Sequence, residues 1–178
     1  MKNLFLPLLA LLTFSSYSQG FLRQDGQKIV DEKGNNVLLR GLGLGGWMVQ
    51  EGYMLKTSDF AGPQYKKKKK ITELIGEKNT TEFYDAYLKN GITKRDIDSL
   101  AAWGFNSVRL PMHYNLYTLP IEDEKVAGEN TWLDQGFKMT DDLLSWCEAN
   151  KIYLILDLHA TPGGQGKDAN ISDYDTTK

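Results

Sequence analysis

Cysteine and histidine are scarce in this sequence, and each shortage argues against a kind of architecture. The 178 residues include one cysteine, Cys147, and two histidines, His113 and His159. One cysteine cannot form an intrachain disulfide, which excludes a disulfide-stabilised scaffold. Because the two histidines stand in no recognised ligand spacing, the pattern does not favour a metal centre.

The sequence also lacks an excess of charge of either sign. Its 21 basic and 23 acidic side chains leave a formal net charge of −2 at pH 7. Nucleic-acid-binding proteins concentrate positive charge, so nucleic acid is not an expected partner. Lysines fill positions 66–70. Because the rest of the chain offsets their charge, we interpret this run as a solvated helix start or surface loop.

Long apolar runs are absent after the first residues of the chain. Lys2 precedes an apolar stretch at 4–14, and small and polar residues follow, with Ser16 and Ser18 in a small-x-small pattern. This arrangement predicts a secretory signal peptide over residues 1–18, too short for a stable membrane span. We expect cleavage near Ser18 and secretion, to the extracellular space or periplasm, of a mature chain over 19–178.

Turn signals and apolar runs alternate along the mature chain. Asp25-Gly26 predicts a β-hairpin, and residues 33–36 predict a second turn. Residues 36–47 predict a strand that ends in a glycine-rich bend. That bend lacks the third glycine and the immediate helix of a dinucleotide-binding motif.

Helices are expected between this strand and two later ones. Asn79 and Thr93 are the expected N-caps of the first two helices, and Thr93 has Asp96 in capping-box position. In the third, Cys147 falls at helical spacing with Leu144, so we expect it to pack as a small hydrophobe. The expected bounds are 79–91, 93–104 and about 133–150 for the helices, and 105–111 and 151–159 for the strands.

Alternation of strands and helices predicts an α/β fold with parallel strands and right-handed crossovers. The spacing suits either an α/β barrel or a doubly wound sheet. Arg109, Asp157 and His159 stand near the carboxyl ends of two strands, where such folds place ligands. We expect Arg109 and His159 to be functional, whereas Asp157 fits a structural ion pair equally well.

Three segments carry a family resemblance. The stretches "LLRGLGLGGWMVQEGYM", "GFNSVRLPMHYN" and "LILDLHATPGGQG" resemble the first three barrel strands of glycoside hydrolase family 5, which contains cellulases and exo-1,3-glucanases. The resemblance implies a TIM (β/α)8 barrel that needs no cofactor. It also implies cleavage of β-linked glucans or related polysaccharides by the retaining mechanism, which uses two carboxyl groups.

The resemblance also implies roles for particular residues. Arg109 resembles the arginine that closes the second strand and supports the nucleophile, and His159 resembles a histidine beside the reacting sugar. Glu51 and Trp47 resemble first-loop residues that touch sugar, and aromatic rings such as Tyr114 stack on sugar faces. The predicted substrate-binding residues are Trp47, Glu51, Arg109, Tyr114 and His159. Departures from the exo-glucanase pattern occur at Gly43, Gly52 and Asn115.

Length limits how much of such a barrel is present. A complete barrel needs about 250 residues, and the chain has 178. We therefore expect only the N-terminal part, about three barrel strands plus an N-terminal β-hairpin, as an incomplete catalytic domain over 19–178. In the family the two catalytic glutamates follow the fourth and seventh strands. We expect both after Lys178, and we expect the chain by itself to be inactive.

Two other functions remain open from the sequence. One is a secreted carbohydrate-binding module that keeps Trp47, Glu51, Arg109 and His159 for sugar contact without cleavage. The other is a metal-dependent barrel hydrolase, in which Asp157 and His159 share one strand face and His113 supplies a third ligand.

Overall fold

The computed structural model describes residues 20–164, 166 and 168–175. The signal peptide predicted over residues 1–18 lies outside them. Within the described ranges, no helix combines the length and apolar character needed to cross a bilayer. The chain divides into two compact units, Met1–Val37 and Leu38–Lys178.

The first unit contains a β-hairpin. Strand β1 (Arg23–Asp25) pairs antiparallel with β2 (Lys28–Val30), which confirms the hairpin predicted from Asp25-Gly26. The second predicted turn is also present. Its geometry is fixed by Asp31, whose Oδ1 accepts a hydrogen bond of 2.8 Å from the backbone N–H of Asn35.

The second unit is built on a parallel sheet. Strands β3 (Gly41–Gly43), β4 (Ser107–His113) and β5 (Tyr153–Ala160) lie side by side in that order. Both pairings are parallel, as the alternation of strands and helices predicted. β3 is shorter than expected because the chain before it bonds a side chain instead. The amide of Asn106 donates to Leu38 O at 2.9 Å and accepts from Arg40 N at 2.7 Å.

Helices connect the three strands. The capping box predicted from Thr93 and Asp96 is confirmed. The carboxylate of Asp96 accepts hydrogen bonds from the N–H and hydroxyl of Thr93 at 2.8 and 2.7 Å. Two short 3-10 turns follow β4, at Tyr114–Leu116 and Ile121–Asp123. The α-helices are α1 (Ser58–Ala61), α2 (Gln64–Gly91), α3 (Lys94–Ala102), α4 (Asp134–Ala149) and α5 (Ala169–Ser172).

Helix α2 starts at Gln64, so the N-cap predicted at Asn79 is wrong. Asn79 lies inside the helix, where its side-chain amide donates to Ile75 O at 2.8 Å. The helix breaks at Gly76 instead, whose φ of 79° and ψ of 162° are not helical. Because this backbone region is essentially restricted to glycine, Gly76 divides α2 into two segments. Its predicted end at Gly91 is confirmed.

The lysine run forms part of the first segment of α2. Four of the five lysines are exposed, but Lys67 is buried. Its Nζ donates to Ala61 O at 3.2 Å and also contacts Gly62 O. Burial lowers the pKa of Lys67. The interpretation of the run as a solvated surface is therefore wrong at Lys67, because carbonyls of the preceding turn surround its ammonium group.

The hydrophobic core lies between the sheet and helices α3 and α4. Cys147 is fully buried, as predicted, and burial raises the pKa of its thiol to about 11. Its neighbour in the predicted apolar stripe, Leu144, is 51% exposed, and Leu143 takes the inward position instead. The central core side chains are Ile97, Leu100, Val108, Leu110, Leu143, Cys147 and Ile152.

The outer face of β5 is only partly covered. Leu154 packs against the core, as expected for a leucine under a helix layer. Leu156 and Leu158 are 57% and 46% exposed, however. In the part of the chain that the structure describes, β5 pairs with β4 on one side and with no strand on the other.

Candidate active site

Three polar side chains meet near the carboxyl ends of β4 and β5. Arg109 pairs in register with Ile155, and Asp157 and His159 follow at two-residue steps. Because alternate residues of a strand point to one face, all three side chains project to the same side of the sheet. The neighbouring residues Val108 and Leu110 point into the core.

These three side chains form one contact cluster. Arg109 Nη2 forms an ion pair with Asp157 Oδ2 and lies 3.0 Å from His159 Nδ1. The same Nδ1 is 3.1 Å from Asp157 Oδ2. Because the guanidinium can only donate, His159 Nδ1 accepts this hydrogen bond. In the neutral imidazole the ring proton therefore lies on Nε2, which faces Glu51.

Glu51 completes the cluster from the loop that follows β3. Its Oε1 lies 3.7 Å from His159 Nε2, and the residue is 6% exposed. This separation is too long for a hydrogen bond, so the two groups face each other across a gap. A hydroxyl group can bridge such a gap, since it both donates and accepts.

The loop around Glu51 depends on a close backbone contact at Gly52. A Cβ built on Gly52 would lie 2.7 Å from Gly62 Cα, a distance that no side chain tolerates. Thr57 N donates to Gly52 O at 2.8 Å, which closes the turn behind Glu51. The glycine at this position, where the exo-glucanase pattern has proline, therefore sets how Glu51 enters the site.

Tyr53 lies at the open side of the cluster. The negative charge of Glu51, together with a hydrogen bond to its carboxylate, raises the pKa of the Tyr53 hydroxyl. The ring is 57% exposed. Tyr53 therefore combines an accessible aromatic face with a hydroxyl directed at Glu51.

Trp47 and Tyr114 do not join this cluster. The Trp47 ring is 4% exposed and donates its indole N–H to Leu88 O at 2.7 Å. Its face therefore packs in the core and is not open to a sugar. Tyr114 stacks on His113, with ring centroids 5.3 Å apart. Of the predicted substrate-binding residues, the structure brings together Glu51, Arg109 and His159.

His113 also lies apart from Asp157 and His159. It is 1% exposed, and its Nε2 is 3.0 Å from Asp173 Oδ2. No group of three or more His, Cys, Asp or Glu side chains in the described ranges is arranged to hold a metal ion. The ligand set Asp157–His159–His113 that the sequence left open is therefore not assembled.

Sequence reasoning missed two residues that shape this region. Gly52 was noted only as a departure from a pattern, although its closeness to Gly62 fixes the loop of Glu51. Asp173 follows a polar loop and belongs to no motif, so no local signal marked it as the partner of His113.

Comparison with known proteins finds relatives that are named as glycosidases. The chain is 34% identical to a β-xylosidase of Phanerodontia chrysosporium over 148 residues, 83% of this chain and 29% of that protein. It is 30% identical to a glucan 1,3-β-glucosidase of Candida oleophila over 141 residues, 73% of this chain and 31% of that protein. The chain thus spans about a third of the length of these relatives.

A match to a family model identifies the family to which the chain belongs. The model of the cellulase family, glycosyl hydrolase family 5, matches residues 30–178. The chain belongs to glycoside hydrolase family 5, as its three strand motifs predicted.

A solved structure shows the same fold. The crystal structure of rutinosidase from Aspergillus niger superposes with a TM-score of 0.56 at 20% identity, over 76% of this chain and 36% of that one. Together with the family, this similarity decides between the two folds that the strand spacing allowed. β3, β4 and β5 form part of a TIM barrel, and the cluster of Glu51, Arg109, Asp157 and His159 lies near the carboxyl ends of its strands, the end at which TIM-barrel enzymes place their active sites.

Proposed function

We propose that this chain supplies the sugar-binding side of a retaining glycoside hydrolase acting on β-linked glucans or related polysaccharides. The observation that carries the proposal is the convergence of Glu51, Arg109 and His159 on one space at the carboxyl ends of parallel strands. The relatives named β-xylosidase and glucan 1,3-β-glucosidase support a glycan substrate.

We propose binding and positioning roles for these residues, which their geometry supports. A sugar hydroxyl beside this pair, within hydrogen-bond distance of both atoms, accepts from His159 Nε2 and donates to the Glu51 carboxylate. The Arg109 guanidinium supplies positive charge that keeps a neighbouring nucleophilic carboxylate ionised. Asp157 holds the guanidinium in place through its ion pair.

Retaining hydrolysis requires two carboxyl groups about 5–5.5 Å apart on either side of the scissile bond. Glu51 faces His159, and Asp157 forms an ion pair with Arg109, so we propose binding and positioning roles for both carboxylates. As the family resemblance implies, we propose that the nucleophile and the acid/base are glutamates on later barrel strands, and that the 178 residues alone are inactive.

Hydrolysis by the natural protein, in the length that its gene encodes, tests this function. Aryl β-glycosides and β-linked glucans would be offered, with the anomeric form of the first product followed by NMR. Arg109→Ala should lower kcat/KM by about 100-fold or more, because a charged group at the reacting centre is lost. Arg95→Ala, which removes an exposed arginine on α3, is the matched control.

Three outcomes would contradict the proposal. They are failure to cleave any glycan of the panel, a first product of inverted configuration, and an equal effect of both arginine variants. Glycan binding without cleavage would favour the carbohydrate-binding module instead. We further propose that the protein is exported after cleavage near Ser18, which N-terminal sequencing of the secreted product would test.

A further inference from the structure

The backbone on both sides of Glu51 contacts the turn between α1 and α2. On one side, Gln50 N donates to the side-chain Oε1 of Gln64 at 2.7 Å. On the other side, Gly52 packs so closely on Gly62 that a Cβ at Gly52 would lie 2.7 Å from the Cα of Gly62. Because these two contacts flank Glu51 directly, the placement of its carboxylate depends on where the α1–α2 turn lies.

The α1–α2 turn is held by Lys67, which lies in the first turn of α2. Its Nζ donates to Ala61 O at 3.2 Å and also contacts Gly62 O. Carbonyl groups at the end of a helix lack partners within that helix, and the ammonium group supplies one for the end of α1. Lys67 is 6% exposed. Because a buried ammonium group is costly unless it is hydrogen-bonded, the folded protein keeps these carbonyls on Lys67.

Asp173 anchors the same part of α2 to the sheet. Its Oδ1 accepts from Tyr65 N at 2.8 Å, and its Oδ2 lies 3.0 Å from Nε2 of His113, the last residue of β4. Burial lowers the pKa of Lys67, and the negative charge of Asp173 opposes this change. The ammonium group of Lys67 therefore holds the α1–α2 turn from a helix start that is itself tied to β4.

We propose that Lys67 is a positioning residue for Glu51. Its ammonium group holds the carbonyls of the α1–α2 turn, and that turn holds the backbone on both sides of Glu51, whose carboxylate thereby faces His159 Nε2. This inference rests on the proposed function, in which Glu51 binds a sugar hydroxyl. Burial distinguishes Lys67 from the four exposed lysines beside it in the run.

Steady-state kinetics of the natural protein and its variants test this role. Lys67→Met keeps the apolar stem but removes the ammonium group, so the α1–α2 turn is released and Glu51 loses its fixed position. For an aryl β-glycoside that the protein cleaves, KM should rise by about 3- to 10-fold with kcat nearly unchanged, because a binding contact is weakened. Lys69→Met removes an exposed lysine of the same run and should leave KM unchanged.

A double-mutant cycle separates positioning from general destabilisation. In a Glu51→Ala background, Lys67→Met should have no further effect on KM, because the group that it positions is absent. Gln64→Leu removes the acceptor of Gln50 N, so it should also raise KM, and only while Glu51 is present.

Two further variants at the same position guard against misfolding. Lys67→Arg retains the positive charge and donors for the carbonyls, so its KM should stay closer to that of the natural protein than the KM of Lys67→Met does. If Lys67→Met does not fold, Lys67→Gln takes its place in the cycle, because its amide nitrogen is one bond nearer the backbone and carries no charge.

The outcomes separate the two proposals. If the variant at Lys67 leaves KM unchanged, or raises it equally with and without Glu51, the positioning role is overturned and the proposed function stands. If the natural protein cleaves none of the glycosides, the proposed function fails and the positioning role fails with it.

Discussion

At the scale of single residues, Asp157 has the largest share in organising the site. Its carboxylate contacts both Arg109 and His159, and its side chain is 27% exposed, which places it below the rim of the site. The sequence left open whether Asp157 forms an ion pair or has a functional role, and these two interpretations are therefore compatible. The ion pair positions Arg109, which is one of the proposed binding residues.

Replacing Asp157 should impair activity more than stability. Asp157→Asn keeps the shape but removes the charge that holds the guanidinium, so we expect kcat/KM to fall roughly 10- to 100-fold through misplacement of Arg109. The fall should appear mainly in kcat, with a nearly unchanged melting temperature. Asp59→Asn, on exposed α1, is the control. A purely structural Asp157 would lower the melting temperature while leaving kcat intact.

Gly52 offers a second prediction at this scale. Gly52→Ala places a methyl group against the backbone of Gly62, so the loop must shift and we expect a loss of about 1–3 kcal/mol in the free energy of unfolding. Because Glu51 precedes it, KM should rise as well. Denaturant unfolding measures the first effect. Gly166→Ala, where the added methyl meets open space, should be neutral, and equal behaviour of the two variants would refute the argument.

Local patterns predicted Arg109 and His159, because charged residues at the ends of apolar strands are visible in a sequence, whereas Glu51 was implied only by the family resemblance. They could not predict the placement of Trp47. The same "GGW" pattern fits a ring exposed to substrate and a ring buried under a helix, and the hydrogen bond to Leu88 that decides between them joins residues 41 positions apart.

At the scale of elements, β4, β5 and α3 agreed with prediction, whereas the length of β3 and the start of α2 did not. Strands and capping boxes carry local signals: apolar runs for β4 and β5, and Thr93 with Asp96 for α3. The first segment of α2 is polar, and a helix without an apolar face resembles a loop in a sequence. Gly76 separates that segment from the second one, and its unusual backbone angles depend on the surrounding structure.

Helix α4 gives a pH-dependent prediction. Burial keeps the Cys147 thiol protonated to about pH 11, whereas its ordinary pKa is 9.0. The folded state therefore holds this proton more tightly than the unfolded state does. The contribution of the protonated thiol to the free energy of unfolding is complete below pH 9 and declines as the pH rises to 11. The loss is roughly 2–3 kcal/mol, measurable by urea unfolding across this range.

The Cys147→Ala variant should lose this dependence, although the smaller side chain lowers its stability at neutral pH. Tyr84→Phe is the comparison, because burial raises the pKa of Tyr84 to about 12. That variant should still lose stability between pH 9 and 10. An unchanged alkaline slope in Cys147→Ala would show that the thiol does not titrate as described.

At the scale of the whole molecule, the described sheet has an open side. β5 exposes Leu156 and Leu158, and in a TIM barrel both faces of every strand are covered. The 178-residue polypeptide, expressed alone, should therefore bind a hydrophobic dye such as ANS and be poorly soluble. Leu156→Glu with Leu158→Glu should reduce dye binding. Leu74→Glu, at an 82% exposed leucine on α2, should not, and a polypeptide that binds no dye would contradict this expectation.

The central position of β4 has a consequence for how the protein opens. Its backbone is bonded to β3 on one side and to β5 on the other, so releasing all of its amides requires both ladders to separate. In deuterated buffer, the slowest isotope exchange should therefore fall around Val108 and Leu110. We therefore expect the Arg109 guanidinium to be carried on the most strongly protected segment of the sheet.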